Sequence, residues 1–260
     1  MATKEPENAS AYARQIEEEG FVILKNMIPE TQAAKFADLV SSAPCGTVKL
    51  GWEARTELLD HDAAFAELVT HPTVLAIVHE LIGGRTEPAP NAHAWPSEDQ
   101  IRLECCDALI AHPGSESGWW HLDPPMAQLN PRRPVPDFPI SVNAIWMATP
   151  FTQANGATRV MPRSHLLRRV PDATRESLSG EFYLCGNPGD VAIVPNMTWH
   201  AASPNRTDTD RIGVGCCYAP WWVGCISPDI TPIKANSFER LPKQAQTLIR
   251  HQLQWSVRKD

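Results

Sequence analysis

The spacing of apolar residues along the chain predicts that it opens with helices and one short strand. Residues 8–19 follow a helical pattern, and the apolar run 21–24 indicates a strand. A second helix is expected to begin at Pro29, because proline is favoured in the first turn and apolar residues follow at helical spacing. Residues 61–82 carry another apolar stripe, interrupted at an internal proline. These patterns predict a helical N-terminal part over about residues 1–85.

Beyond residue 98 the pattern changes to short apolar or alternating runs separated by Pro, Gly and Asn. The main runs are residues 101–110, 140–148, 190–195 and 211–219. Such runs are typical of a β-sandwich or jelly roll, here expected over about residues 98–222. A final helix is predicted over about residues 239–252. We interpret residues 1–260 as one domain, mainly β with flanking α-helices.

One segment has a strongly biased composition. Residues 124–139 contain six prolines and predict a stiff, irregular loop. It directly follows a candidate ligand pair at residues 121–123, and we expect it to form a rim or lid.

Composition and charge narrow the range of partners. The net charge of −7 and the pI near 5.7 argue against a nucleic-acid partner, which would need clustered Lys and Arg. The first twenty residues are polar and acidic, and no apolar run is long enough to span a bilayer, so we expect a cytoplasmic protein with no membrane partner. Seven cysteines, an odd number, suit free thiols better than a disulfide framework. The sequence predicts no particular oligomeric state.

The candidate chemistry lies in a His-x-Asp triplet and one distant histidine. Residues i and i+2 of a strand point to the same side, so His121 and Asp123 are placed to aim an imidazole and a carboxylate at one point. His200, in a turn between two predicted strands, would complete the set. Two imidazoles and one carboxylate are the ligands of non-haem Fe(II) oxygenases. A surface turn is the alternative interpretation of the triplet alone.

Arg211 is the candidate anion-binding residue. In strand alternation it shares a face with Gly213 and Gly215, which leaves room beside the guanidinium for a small dicarboxylate. Ile212 and Val214 would point the other way. The alternative is a solvated arginine at a strand start, an interpretation that fits Arg206 better.

The ordered motifs of the chain resemble the phytanoyl-CoA dioxygenase family over most of residues 10–220. The matching segments are His121-Leu122-Asp123, Asn155-Gly156-Ala157-Thr158, Pro162-Arg163-Ser164-His165 and His200 followed eleven residues later by Arg211. The resemblance implies a double-stranded β-helix (jelly roll, cupin-like) that uses Fe(II), 2-oxoglutarate and O₂. It also implies that Arg211 binds the distal carboxylate of 2-oxoglutarate, with Thr158 near the same ligand.

The chain departs from the family pattern at three positions. Arg163 stands where the family usually has Gly, Gly118 where some members place a polar co-substrate contact, and Gly213 where a hydroxyl residue is common. These departures concern the co-substrate surroundings and leave His121, Asp123 and His200 intact. The carboxylate of Asp123 favours oxygen transfer over halogenation, since related halogenases have a small residue there.

Several tryptophans flank the ligand segments and favour a partly apolar pocket. We select Trp120 and Trp222 as substrate-binding candidates, with core packing as the competing account. The expected substrate is a small, partly apolar metabolite, as in secondary metabolism. The expected reaction is hydroxylation, with ascorbate as the reductant in vitro. A cupin-like metal-binding or isomerase domain remains the alternative, and it would not need Arg211.

The remaining histidines are interpreted as structural. His165 belongs to the family-like turn, where a hydrogen bond is expected rather than a fourth metal ligand. Those in helical or capping positions need no chemistry: His61, His71, His79 and His251. His93 and His112 are expected in loops.

Overall fold

The structure, a computed structural model, describes residues 8–84, 100–126, 134–224, 226 and 231–256. His93 and part of the proline-rich segment therefore lie outside the described residues. Two antiparallel β-sheets with helices on the outside of the larger sheet form the molecule, which confirms the jelly roll with flanking α-helices.

Seven α-helices and two short 3₁₀ turns are present in the described residues. The helices are α1 (Ala9–Glu19), α2 (Glu30–Ser42), α3 (Leu58–His61), α4 (Ala66–Val69), α5 (Pro72–Ile82), α6 (Ala235–Arg240) and α7 (Lys243–Ser256). The 3₁₀ turns are Ala63–Phe65 and Ser164–Leu167.

Ten strands were assigned in the described residues. They are β1 (Val22–Leu24), β2 (Thr47–Lys49), β3 (Trp52–Arg55), β4 (Ile101–Ala111), β5 (Val142–Met147), β6 (Arg159–Val160), β7 (Phe182–Tyr183), β8 (Val191–Pro195), β9 (His200–Ala201) and β10 (Arg211–Pro220). The major sheet has the order β1-β8-β5-β10-β4-β3-β2, and the minor sheet has the order β7-β6-β9.

Side-chain alternation along β10 separates the two layers of the core, as the sequence predicts. Val214, Cys216 and Tyr218 are fully buried on the outer face of the major sheet, in the same apolar cluster as residues of α1, α2 and α5. The opposite face carries Arg211 and the two glycines that follow it in alternation. A second cluster, with Met147, Phe151, Val160, Leu184 and Val194 at its centre, joins strands of the major and minor sheets.

Two predicted elements need correction. The N-terminal part contains more than the one predicted strand, because the hairpin of β2 and β3 adds two strands to the major sheet. The predicted break at Pro72 is present: α4 ends at Val69 and α5 begins at Pro72, where the missing N–H costs nothing. The C-terminal helix is divided into α6 and α7, because the chain turns at Leu241 and Pro242, and a proline cannot continue the first helix.

Within the described ranges, no single helix has the length and hydropathy to cross a membrane. One bent pair, residues 63–69 with α5, passes by length and composition alone, with a bend of 53°.

Candidate metal centre

Backbone pairing places the three predicted ligands side by side. His121 and His200 form an antiparallel bridge in which each backbone N–H donates to the other's carbonyl, at 3.0 and 3.1 Å. The N–H of Asp123 donates to the carbonyl of Asn196, which fixes the second half of the triplet. Because His200 belongs to β9, the minor sheet holds one imidazole and positions the segment that carries the other two ligands.

The side chains of this triad converge as the sequence predicts. One nitrogen or oxygen atom of each side chain lies within 4.8 Å of the other two. The Nε2 atoms of His200 and His121 lie 3.3 and 4.0 Å from Oδ1 of Asp123. The two imidazole rings are tilted at 54°, with centroids 4.3 Å apart. Two imidazole nitrogens and one carboxylate oxygen at this spacing suit a divalent metal that keeps open positions for other ligands.

Hydrogen bonds fix which nitrogen of each imidazole faces the centre. Nδ1 of His121 lies 2.8 Å from the Trp119 carbonyl, and Nδ1 of His200 lies 2.9 Å from the Thr198 carbonyl. A carbonyl only accepts, so each Nδ1 carries the proton and each Nε2 presents its lone pair. Such backbone contacts hold metal-binding imidazoles in their orientation.

The charges of the triad reinforce one another. Burial by itself would raise the pKa of Asp123, but His200, His121 and the Asn143 amide more than offset this effect and lower the pKa to about 2. Burial would lower the pKa of His200, yet the Asp123 carboxylate raises it. Burial and the neighbouring His200 lower the pKa of His121. Asp123 is therefore a carboxylate at neutral pH, the form in which it binds a cation.

Arg211 is a buried guanidinium that lacks an anionic partner among the described residues. The residue is 1% exposed, Nε and Nη2 have no hydrogen-bond partner there, and Nη1 makes one long contact of 3.5 Å with the Leu109 carbonyl. Burial lowers its pKa to about 9. A buried cation without a counter-ion is costly. The site therefore fits a carboxylate ligand held through the two unpaired nitrogens.

Aromatic rings fix the position of this guanidinium. Its central carbon lies 4.3 Å from the Phe151 ring centroid and 4.8 Å from that of Trp52. A β-carbon at Gly213 would come within 2.8 Å of the Phe151 ring and 3.1 Å of Nη1 of Arg211. The glycine in alternation with Arg211 is therefore required by close packing. Part of the predicted room on this face is occupied by Phe151.

The family-like turns show why two departures are tolerated. Arg163 adopts a positive φ of 62°, a conformation that favours glycine, and its guanidinium binds both carboxylate oxygens of Glu19. A β-carbon at Gly118 would lie 3.1 Å from that of Ala202, a tight contact that a larger residue would have to relieve by displacing its neighbour. His165 is buried and Nε2 bonds the Glu17 carbonyl at 2.9 Å, which confirms its structural role.

Thr158 and the two selected tryptophans occupy different surroundings. Thr158 is half-buried next to β6, and its carbonyl accepts a hydrogen bond from Leu184, so its role beside the co-substrate stays a prediction. Trp120 is 3% exposed, packs with Leu122 and other apolar residues, and donates from its indole N–H to the Glu176 carbonyl. Trp222 is 55% exposed.

Trp120 lies on the side of its segment opposite the triad, so its role in substrate binding stays a prediction. The alternation that directs His121 and Asp123 to one side directs Trp120 and Leu122 to the other. Neither Trp120 nor Trp222 is among the residues that line the cavity beside the triad.

The cavity beside the triad reveals functional candidates that sequence reasoning missed. A space of about 260 Å³ is bordered by Asp123 and Asn143 and by residues of β4, β10, the segment after β3 and the C-terminal region. Asn143, on β5, is opposite Cys217 in the sheet register and interacts with Asp123 through its amide. No motif marks it, since a single Asn in an apolar strand gives no signal of its own.

The jelly roll brings together two imidazoles and one carboxylate, and it also holds a buried arginine that lacks an anionic partner among the described residues. This combination is typical of non-haem metal proteins with a carboxylate-binding pocket. The chain belongs to the phytanoyl-CoA dioxygenase (PhyH) family, whose model matches residues 16–213. The family match includes His121, Asp123, His200 and Arg211.

Curated relatives with similar sequences are fungal dioxygenases. The chain is 28% identical over 197 residues to dioxygenase af480 of Aspergillus fumigatus, covering 74% of this chain and 54% of that protein. It is 28% identical over 180 residues to dioxygenase andF of Emericella variicolor, covering 68% and 54%. The chain thus spans about half the length of the curated relatives it matches.

Solved structures of similar fold confirm the architecture. HygX from Streptomyces hygroscopicus, solved with nickel and 2-oxoglutarate, aligns with a TM-score of 0.64 at 13% identity, over 86% of this chain and 94% of that one. The non-haem α-ketoglutarate-dependent carbocyclase SnoK from nogalamycin biosynthesis aligns with a TM-score of 0.59 at 18% identity, over 80% and 83%. At these identities the likeness concerns the fold alone.

Proposed function

We propose that this protein is an Fe(II)- and 2-oxoglutarate-dependent dioxygenase that oxidises a small, partly apolar metabolite. The proposal depends on one observation above the others: the triad of His121, Asp123 and His200 shares a fold with a buried arginine that has two unpaired nitrogens. The donor set fits Fe(II), and the guanidinium fits one carboxylate of a diacid. Family membership supports the same combination.

Each residue of the centre has a defined task in this proposal. His121 and His200 donate lone pairs from Nε2, because their Nδ1 protons are held by backbone carbonyls. Asp123 contributes the negative charge that balances a divalent cation. Arg211 holds the distal carboxylate of 2-oxoglutarate, and Trp52 and Phe151 keep the guanidinium in place and exclude water around it. Thr158 is assigned to the same co-substrate.

Fe(II), 2-oxoglutarate and O₂ together supply the oxidising equivalents for attack on a C–H bond, with release of succinate and CO₂. The protein contributes orientation and a shielded cavity. We assign hydroxylation as the reaction and secondary metabolism as the context. The second point agrees with the origin of the neighbour SnoK, which is an enzyme of nogalamycin biosynthesis.

The rival function is a cupin-like metal-binding or isomerase domain that activates no oxygen. Arg211 argues against this rival function. A domain that activates no oxygen has no need of a buried guanidinium with two unpaired nitrogens on the metal side of the sheet. The neighbouring structures include an α-ketoglutarate-dependent epimerase, SnoN, so an isomer product alone does not separate the two functions. Consumption of 2-oxoglutarate separates the two functions.

Succinate formation from 2-oxoglutarate, measured with Fe(II), ascorbate and a panel of small metabolites, tests the proposal. We expect the wild type to form succinate and Asp123→Ala to lose at least about a hundredfold of that rate, because the metal loses its charged ligand. Asp38→Ala, an exposed carboxylate on α2, is the matched control and should retain the wild-type rate. Equal rates in wild type and Asp123→Ala would refute the assignment.

A further inference from the structure

The charged side chains that line the cavity beside the triad are all acidic among the described residues. Five of its lining side chains are carboxylic acids, and none is Lys, Arg or His among the described residues. The acids are Glu57, Asp60, Glu104, Asp107 and Asp123. A cavity of this composition repels anionic compounds and favours cationic ones, since charges interact strongly where water is scarce.

Most of these acids already have partners. Glu104 is fully buried and pairs with Arg102 at 2.5 Å, and Glu57 at the rim lies 3.7 Å from Nζ of Lys234. Asp60 accepts the backbone N–H of Lys234. Asp123 belongs to the triad. Asp60 and Asp107 are the two lining carboxylates without a cationic side chain within 4 Å in the part of the chain that the structure describes, and of these two Asp107 lies on a strand of the major sheet.

Asp107 is held in one orientation by neutral donors. Its Oδ1 accepts the backbone N–H of Glu57 at 3.3 Å, and the Cys105 thiol donates to the same carboxylate. Asp107 is opposite Gly215 in the sheet register, on the face that also carries Cys217. A β-carbon at Gly215 would lie 3.3 Å from Oδ1 of Asn143, so the glycine makes room for the Asn143 side chain.

A second, independent feature also calls for a ligand that donates hydrogen bonds. Asn143 lines the same cavity, and its Oδ1 is buried and has no donor partner among the described residues. The amide of Asn143 interacts with Asp123, so its oxygen is left as an acceptor. Buried polar atoms without partners are rare in proteins, and a bound ligand is one established explanation.

The sheet geometry sets the distance between these two acceptors. Asn143 is on β5 and Asp107 on β4, with β10 between them. Two strand spacings and a register offset of two residues place them roughly 12 Å apart. One acceptor therefore lies beside the metal ligand Asp123, and the other lies two strands away on the same face of the sheet.

We propose that the substrate carries a protonated amine that binds Asp107, and that a second donor group of the substrate binds Oδ1 of Asn143. This inference rests on the proposed oxygenase function and names the substrate class for the same site. The metal then faces the part of the substrate that lies between or beside these two anchors. Compounds with a carboxylate or phosphate at the Asp107 end are excluded by charge.

The test compares three compounds of equal shape and different charge: cyclohexylmethylamine, cyclohexylmethanol and cyclohexanecarboxylate. Binding is measured by isothermal titration calorimetry to wild-type protein loaded with Mn(II) and N-oxalylglycine, a combination that cannot turn over. We expect the amine to bind at least about tenfold more tightly than the alcohol, a modest effect for a partly buried ion pair, and the carboxylate to bind most weakly.

Two variants assign the preference to one residue. Asp107→Asn keeps the shape and the acceptor for the Glu57 N–H, and it should remove the preference for the amine over the alcohol. Glu57→Gln removes a carboxylate from the same cavity that Lys234 already neutralises, and it should keep most of the preference. An equal loss in both variants would overturn the assignment to Asp107.

The wild-type measurement can overturn the inference without any variant. Failure of the amine to bind at millimolar concentration, or binding no tighter than that of the alcohol, would do so. Succinate formation by the same preparation is measured in parallel. A wild type that forms succinate but shows no amine preference refutes only the substrate class, whereas the absence of succinate with every compound refutes the proposed function.

Discussion

At the scale of single residues, Arg211 and Asp107 show two buried charges whose surroundings do not neutralise them. Arg211 is enclosed by aromatic rings and Asp107 is held by a backbone N–H and a thiol. Each arrangement costs folding free energy unless something compensates. Residues that are retained at such a cost are candidates for ligand binding.

The free-energy cost of burying a carboxylate can be measured at Asp107. Burial raises the pKa of Asp107 to about 6, well above its ordinary value, although the Cys105 thiol and the Glu57 N–H oppose the rise. The native state therefore binds the proton more tightly than the unfolded state, and the free energy of unfolding falls as the pH rises from about 4 to about 6. Above that range the charged carboxylate destabilises the ligand-free protein by a constant amount.

We therefore predict that Asp107→Asn stabilises the ligand-free protein at neutral and alkaline pH. The gain in the free energy of unfolding should be about 1–3 kcal/mol near pH 8 and should vanish near pH 3, where the carboxyl is largely protonated in both states. Urea unfolding at the two pH values measures it. Asp38→Asn, which removes an exposed carboxylate, serves as the control. A variant that is less stable than the wild type at pH 8 would contradict this account.

The sequence revealed some of these residues and not others for a physical reason. The pair of His121 and Asp123 could be predicted because residues two positions apart on a strand point to the same side. Asp107 and Asn143 lie far apart in sequence, and only the pairing of both strands with β10 places them around one cavity. Trp120 was selected for proximity in sequence, although the same alternation turns it away from the metal.

At the scale of elements, β10 organises both ends of the site. Arg211 begins the strand, and Cys217, six residues later on the same face, lines the cavity opposite Asn143 in the sheet register. Between them are Gly213 and Gly215, which leave space for the guanidinium and the Asn143 side chain. The outer face of the same strand is packed against the helices. One strand thus connects the proposed co-substrate site at Arg211 with the proposed substrate cavity.

This arrangement predicts the effect of adding one methyl group to β10. Gly213→Ala would place a β-carbon within 2.8 Å of Phe151 and 3.1 Å of the Arg211 guanidinium. Displacement of that guanidinium should raise the KM for 2-oxoglutarate at least about tenfold, and the overpacking should destabilise the fold by about 1–3 kcal/mol. Steady-state kinetics with varied 2-oxoglutarate and thermal unfolding measure the two effects.

Gly84→Ala is the matched control for this substitution. Its β-carbon would make only ordinary contacts, the nearest at 3.7 Å from Gln100. An unchanged KM for 2-oxoglutarate in Gly213→Ala would mean that Arg211 does not bind the co-substrate.

Elements with strong apolar patterns were predictable, and polar ones were not. The strands β4, β5, β8 and β10 follow the predicted runs closely. The hairpin of β2 and β3 was missed because all three residues of β2 are exposed, so no apolar alternation marks it. This strand pairs only at the edge of the sheet, where backbone hydrogen bonds suffice without burial.

At the scale of the whole molecule, the two sheets contribute different parts of the site. The minor sheet and the bridge between His121 and His200 position the metal ligands. The major sheet supplies Arg211, Asn143 and the cavity wall, and the helices on its outer face stabilise it. The net charge of −7 agrees with the acidic cavity but does not locate it, so only the fold shows where the charge acts.

The central claim is that the triad holds one metal ion. Anaerobic equilibrium dialysis against Fe(II), followed by iron determination, tests this claim most directly. We predict one Fe(II) per chain for the wild type, with loss of binding in His121→Ala, Asp123→Ala and His200→Ala and retention in His165→Ala, whose imidazole only bonds a backbone carbonyl. Binding of one Fe(II) per chain that survives the removal of Asp123 and of either triad histidine would contradict the account.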